Sequence, residues 1–302
     1  MVGDDVQAIF DRAGCTGTLL VQSLDTDTEF GLRSDELVVP ASVIKVLVAL
    51  EAETSFVDGR LDPSEQVVLR AIDRTPGPVG VSLFEDDAVI SWRDMVVLML
   101  TISDNPSTDA LIRRLGTDAL NTTAARLGLS NTAVESDLMT MLDSIGQDLG
   151  RAGWKDLTSW SAGASAEDSA QADELLPTAR ALDPGKGTTT TPRDMVTLLR
   201  LIWTGQAGPA AACERVRSIM AQQLTRHRIS SAFQPPVRVA AKSGGLLGVV
   251  RNEIGVVSYP DGREYAAAVF TRSRPGSDER AINTAIGTAT ARAIASLRYD
   301  AA

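Results

Sequence analysis

The chain has 302 residues, 44% of them hydrophobic, and a formal charge of −10 from 29 Lys+Arg against 39 Asp+Glu. That length and composition suit a folded protein with a large core and one or two lobes, and exclude a disordered one. The acidity argues against a nucleic-acid or anionic-membrane partner, and apolar runs such as Val46–Leu50 and Met95–Leu100 are far too short to span a bilayer. The start, Met1-Val2-Gly3-Asp4-Asp5-Val6, has neither the basic nor the apolar segment of a secretory leader. A cytoplasmic protein is expected, or a secreted one from which a leader has been removed. Cys15 and Cys213 are too few for a disulfide framework. The single histidine, His227, lies in the polar stretch Thr225-Arg226-His227-Arg228, where a solvated role is expected. A His-rich metal site cannot be built and a Ser-His-Asp triad would need that one residue, so no metal and no cofactor are expected.

Taken in order, Asp4–Arg12 reads as an amphipathic helix, and Gly17–Ser23 with Glu29–Leu32 as a hairpin around Asp25-Thr26-Asp27. Pro40-Ala41-Ser42-Val43-Ile44-Lys45 opens an apolar helix running to about Thr54, with Ser42 near its N-terminus. Val67–Leu69 reads as extended, and Arg74–Gly80 as a turn-rich loop. Ser91–Ile102 has helical spacing with Ser91 as N-cap, and Pro106 disfavours helix at Asn105, so the next helix is placed at Ser107–Leu115. Asp118–Leu127 and Leu138–Leu149 follow as helices. Residues Ser159–Ala172, rich in Ser, Ala, Gly and acids, have the composition of a loop or lid. Thr191 caps a helix at Pro192–Thr204, and Glu214–Gln223 is another. Val237–Lys242, Val249–Ser258 and Glu264–Thr271 read as strands around the turn Pro260-Asp261-Gly262, before a closing helix at Asp278–Leu297. The expected fold class is α/β (α+β): an antiparallel sheet flanked by N- and C-terminal helices. Residues 1–72 and 212–302 would form this lobe, and 73–211 an inserted all-α lobe with the loop 159–172.

Ser42 and Lys45, three residues apart, are neighbours on one helical face, and a serine beside a lysine amine can be a nucleophile activated by its base. Alone, that pattern is also an ordinary helix start with a surface lysine. Two more elements follow in order, Ser103-Asp104-Asn105 and Lys242-Ser243-Gly244, and two of only four lysines (Lys45, Lys155, Lys186, Lys242) fall in these motifs. The set resembles the S-x-x-K, S-D-N and K-T-G elements of class A β-lactamases and penicillin-binding proteins. Arg251, nine residues beyond Lys242, matches the arginine that holds a substrate carboxylate in many class A enzymes. The resemblance covers nearly the whole chain.

It implies acyl transfer through an acyl-enzyme, with Ser42 as nucleophile, Lys45 as base with its pKa lowered by burial and by Lys242, and Ser103 relaying the proton. Asn105 would hold Lys45 and a substrate amide. Backbone N–H groups of Ser42 and Gly245 would form the oxyanion hole, and Lys242, Ser243, Gly244 and Arg251 would bind a carboxylate on a small-molecule substrate. The family's Glu-x-x-Leu-Asn element, whose glutamate activates the deacylating water, is read as absent here. Glu174 in Asp173-Glu174-Leu175-Leu176-Pro177 is the alternative acid, unless residues 146–182 are an insertion. The expected function is a β-lactamase-like serine hydrolase or acyltransferase. The alternatives are a class A-type β-lactamase using Glu174, a D,D-peptidase, and a non-catalytic binding module on the same fold.

Overall fold

The strand residues of this chain are apolar on successive positions, so their sheet needs cover on both faces. The computed structural model, which describes residues 2–26 and 28–299, supplies it. In chain order the elements are α1 (Val2–Arg12), β1 (Cys15–Ser23), β2 (Glu29–Leu32), a 3-10 turn (Ala41–Ile44), α2 (Lys45–Val57), β3 (Gln66–Leu69), β4 (Ala88–Ser91), α3 (Trp92–Thr101), α4 (Asn105–Leu115) and α5 (Thr117–Arg126). Then come α6 (Leu138–Asp148), α7 (Trp154–Ser161), α8 (Ala166–Leu175), α9 (Pro192–Trp203), α10 (Ala210–Met220), β5 (Arg238–Leu246), β6 (Val250–Ser258), β7 (Glu264–Ser273) and α11 (Glu279–Tyr299).

Five strands form an antiparallel sheet in the order β2-β1-β7-β6-β5, which leaves β5 at an edge. The pleat sorts its side chains. Leu19, Val21, Val239, Ala241, Val257 and Val269 pack with Val6 and Phe10 of α1 and with Ile282, Ile286, Ala289 and Ile294 of α11. The alternate positions Leu20, Ile254, Val256, Ala268 and Phe270 join a larger core with α2, α3, α4, α5, α9 and α10. Gly17 lets the Phe10 ring lie on the sheet, for a Cβ there would overlap it.

Most expected elements are present within a few residues, and the expected fold class holds. The differences have local causes. The helix placed at Ser107 begins at Asn105, because Asp104 accepts the Ser107 N–H at 2.8 Å and Pro106 stands in the first turn, where no donor is needed. The segment read as a loop at 159–172 is largely helical: Ser165 caps α8, whose sequence Ala166–Leu175 is rich in good helix formers. Neither α7 nor α8 has a buried residue. The region 73–211 is not all-α either, since β4 pairs with β3 in a two-stranded ribbon across the expected boundary at 72/73. Of the hairpin turn, Asp27 lies outside the described residues, as do residues 1 and 300–302 at the expected ends of the α/β lobe.

Candidate active site

From the sequence, Ser42 is expected near the N-terminus of an α-helix. It stands instead in a tight 3-10 turn, entered through Ala41 at φ +48°, and Lys45 is the first α-helical residue. The Lys45 N–H donates to the Ser42 carbonyl. Residues i and i+3 of a 3-10 turn eclipse, so the two side chains share a side more closely than in an α-helix. The turn is held from the sheet: Asn252 Nδ2 donates to the carbonyls of Val39 at 2.9 Å and Pro40 at 3.0 Å. On β5, a Cβ at Gly244 would lie 2.9 Å from the Pro40 carbonyl oxygen and 3.1 Å from the amide nitrogens of Ser42 and Val43. Only glycine lets the edge strand come this close.

Lys45 is fully buried. Its Nζ lies 2.8 Å from the Ser103 carbonyl oxygen, 3.2 Å from Ser103 Oγ and 3.0 Å from Asn105 Oδ1. Ser103 sits at φ +65° between α3 and α4, and Asp104 pins that bend by accepting the Val81 N–H at 2.7 Å. Asn105 Nδ2 donates to the Pro76 carbonyl at 2.8 Å, which fixes the amide with its oxygen toward the amine. An ammonium has three donors, and the Ser103 carbonyl, Ser103 Oγ and Asn105 Oδ1 are the three acceptors around it. Burial lowers the Lys45 pKa to about 7 against the opposing pull of Asp104 and Asp109. The expected contribution of Lys242 falls the other way: the Lys242 amine is held well below its usual range by burial and then by Lys45. Among the described residues Lys45 Nζ has no hydrogen bond to Ser42 Oγ.

Lys242 is also buried, and its Nζ donates to the Ser243 carbonyl at 2.8 Å. Alternation puts it on the face of β5 toward the larger core, with Ala240, since Ala241 packs on the other. Behind the strand lies a polar network that sequence reading missed. Gln223 accepts the Ser243 N–H and donates to Glu253 Oε1 at 3.0 Å, while Glu253 Oε2 accepts the Ile229 N–H at 2.6 Å. Burial raises the Glu253 pKa, with Arg228 and Lys242 opposing. The Arg228 guanidinium bonds the carbonyls of Gly244 and Asn252, both at 2.6 Å, and Asn283 Oδ1 at 2.9 Å. One arginine thus ties both strands to α11. The available signal was Glu253 directly before the apolar run Ile254–Val257 of its strand.

Ser42, Asn105 and Gly245 line one cavity of about 380 Å³. Of the other residues expected at the site, Arg251 pairs with Glu279 of α11 at 2.6 Å and is not in its wall. Glu174 is exposed on α8 and is not in the wall either, because that helix packs on the outside. The carboxylate that does line the cavity is Glu135. It sits in Glu135-Ser136-Asp137-Leu138, which keeps the Glu-x-x-Leu spacing but has Met139 in place of asparagine. Its segment is well anchored: Ala133 bridges to Thr189, the Glu135 N–H donates to Thr188 Oγ1 at 3.1 Å, and buried Asp109 accepts the N–H groups of Leu138 at 2.7 Å and Met139 at 2.9 Å. His227 is exposed, as expected. Cys15 and Cys213 are free and buried. Among the described residues no helix is long and apolar enough to cross a membrane, and no cluster of His, Cys, Asp and Glu has the makings of a metal site.

An antiparallel sheet between terminal helices and a larger helical body, with a serine turn under its edge strand, is the fold of class A β-lactamases and PBP-A. The chain belongs to the β-lactamase enzyme family, whose sequence model matches residues 1–301. A β-lactamase regulatory protein, BlaB, of Streptomyces cacaoi is 28% identical over 283 residues, covering 89% of this chain and 88% of that protein. The structure of a β-lactamase from Sphaerobacter thermophilus DSM 20745 matches with a TM-score of 0.77 at 23% identity, over 99% of this chain and 97% of that one. The structure of a PBP-A mutant, an acyl-enzyme complex with penicillin G, matches with a TM-score of 0.76 at 22% identity, over 99% and 96%. At these identities the structural likeness shows the fold.

Proposed function

We propose that the protein is a serine hydrolase or acyltransferase that forms an acyl-enzyme on Ser42. The observation that carries this reading is the buried Lys45 amine, with a pKa near neutrality, one tight turn beyond Ser42 and bonded to Ser103 and Asn105. Neutral Lys45 takes the Ser42 proton as the hydroxyl attacks an amide, lactam or ester carbonyl, and Ser103 passes a proton to the leaving group. The approach of Ser42 Oγ to the amine is completed in the substrate complex, where catalytic hydrogen bonds tighten. The N–H groups of Ser42 and Gly245 receive the oxyanion, a donor of this kind being worth about 3–4 kcal/mol. Asn105, already bonded to Pro76, orients Lys45. Lys242 and Ser243 meet a substrate carboxylate, Gly244 allows the close approach, and Arg251 stays engaged by Glu279 outside the cavity wall. Glu135 is the acid on the cavity wall that would activate water to release the acyl group.

Intact-mass analysis after incubation with penicillin G tests the reading. Wild type gains an adduct, Ser42→Ala gains none, Glu135→Gln retains its adduct longer than wild type, and Glu174→Gln behaves as wild type. No adduct on wild type, or one that survives in Ser42→Ala, overturns it. A second reading, a binding module that senses rather than turns over its ligand, is favoured by the missing Ser42–Lys45 hydrogen bond and by the regulatory name of the Streptomyces relative. Reversible binding of penicillin G with no covalent adduct would select it.

A further inference from the structure

The cavity beside Ser42 also describes the group it accepts. One face of α6 presents Leu138, Met141 and Leu142, spaced i, i+3 and i+4, and these join Ile112, Val134 and Leu246 as the apolar part of a wall that also carries Ser136, Thr140, Ser144 and Thr188. Three lining residues carry charge. Arg180 is paired with Asp148 at 3.0 Å and Lys186 with Asp183 at 3.2 Å, so each cation already has a carboxylate partner. Glu135 has no ion pair among the described residues and repels an anion. Among the described residues, then, no free cation in this wall is available to hold an acidic tail. At about 380 Å³ the space matches the lower end of small-molecule pockets.

We propose that the acyl group transferred to Ser42 is neutral and apolar, an alkanoyl or similar chain that lies along α6, with any substrate carboxylate confined to the leaving portion near Lys242. The inference rests on the Ser42 acylation reading and deepens it. In the reaction the Ser42 Oγ–C bond forms, the bond from the carbonyl carbon to the leaving oxygen or nitrogen breaks, and the Ser42 proton ends on the leaving group. Water then adds, the Oγ–C bond breaks, the free acid departs and Ser42 regains its proton.

The test uses p-nitrophenyl esters from acetate to octanoate on the full chain. The expected result is a rise in kcat/KM of about threefold to fourfold per methylene, the factor for moving one CH2 out of water, until the cavity is filled. Met141→Trp is expected to lower the octanoate-to-acetate ratio within one preparation, a readout that does not depend on how much of the variant folds. A flat or falling series, no acylation by any ester, or faster reaction of a chain ending in a carboxylate or ammonium than of its neutral counterpart overturns the inference. Penicillin G labelling of Ser42 is read separately: if it occurs while the ester series is flat, acylation stands and the apolar acyl group does not.

Discussion

At the scale of single residues, the site depends on an amine that can give up its proton. Burial depresses the Lys45 pKa to about 7 from an unfolded value near 10.5. Below pH 7 both states hold the proton, and the folded state bears the full cost of burying it. Between about 7 and 10.5 the unfolded chain holds more protons, so stability rises with pH in that window. Lys45→Met removes the group and should flatten this rise relative to wild type, measured by urea unfolding at several pH values. The acylation rate of wild type should climb through pH 7 for the same reason, and Lys45→Arg, whose guanidinium stays charged, should abolish it. Arg228 makes a different prediction. Its loss in Arg228→Ala removes the side-chain hydrogen bonds to the Gly244 and Asn252 carbonyls and to Asn283 Oδ1, a loss of about 1.5–3 kcal/mol on the scale of a bond from a charged donor. Denaturant unfolding would register that loss, with slower Ser42 acylation as the edge strand loosens.

At the scale of elements, the site is made by a turn and a strand that touch. Gly244→Ala places a methyl against the backbone of Pro40, Ser42 and Val43, which has no side chain to move aside. A displacement of about 1 Å at a reacting centre can cost about 100-fold in rate. Gly244→Ala should therefore acylate about 100-fold more slowly per folded molecule, and its thermal transition should fall as well, because the 2.9 Å approach to backbone has to open. Gly80 serves the Ser103 bend in the same manner: it stands at φ +68°, and a Cβ there would overlap Asp104 Oδ1. Alanine at this position should cost more than about 1 kcal/mol in a thermal melt. Helix α6 joins the two halves of the site, since Asp109 of α4 binds its first N–H groups and its apolar face walls the cavity.

At the scale of the molecule, cover on both faces makes the sheet the stable centre and leaves α7 and α8 at the margin. Phe10 is fully buried between α1 and the sheet. Phe10→Ala should destabilise the fold by about 3–5 kcal/mol, read from the urea midpoint. Amide hydrogen exchange should follow the same order, with α7 and α8 exchanging through local opening and β6 and β7 only through global unfolding. Uniform exchange rates across the chain would refute this division.

The sequence alone determined the order of most helices and strands, β4, α7 and α8 excepted, the caps at Ser91 and Thr191, and the motifs around Ser42, Ser103 and Lys242, because spacing, prolines and capping residues act over a few positions. It also carried the family resemblance. Only the tertiary structure decided that Ser42 stands in a 3-10 turn, that Gln223, Arg228 and Glu253 hold the edge strand, and that Arg251 is engaged by Glu279. It likewise put Glu135 rather than Glu174 on the cavity wall. A local signal was there, since Glu135 has Leu138 three residues on whereas Glu174 has Pro177. What brings Glu135 to the cavity is the bridge from Ala133 to Thr189 and the hold of Asp109 on Leu138, contacts between residues far apart in the chain.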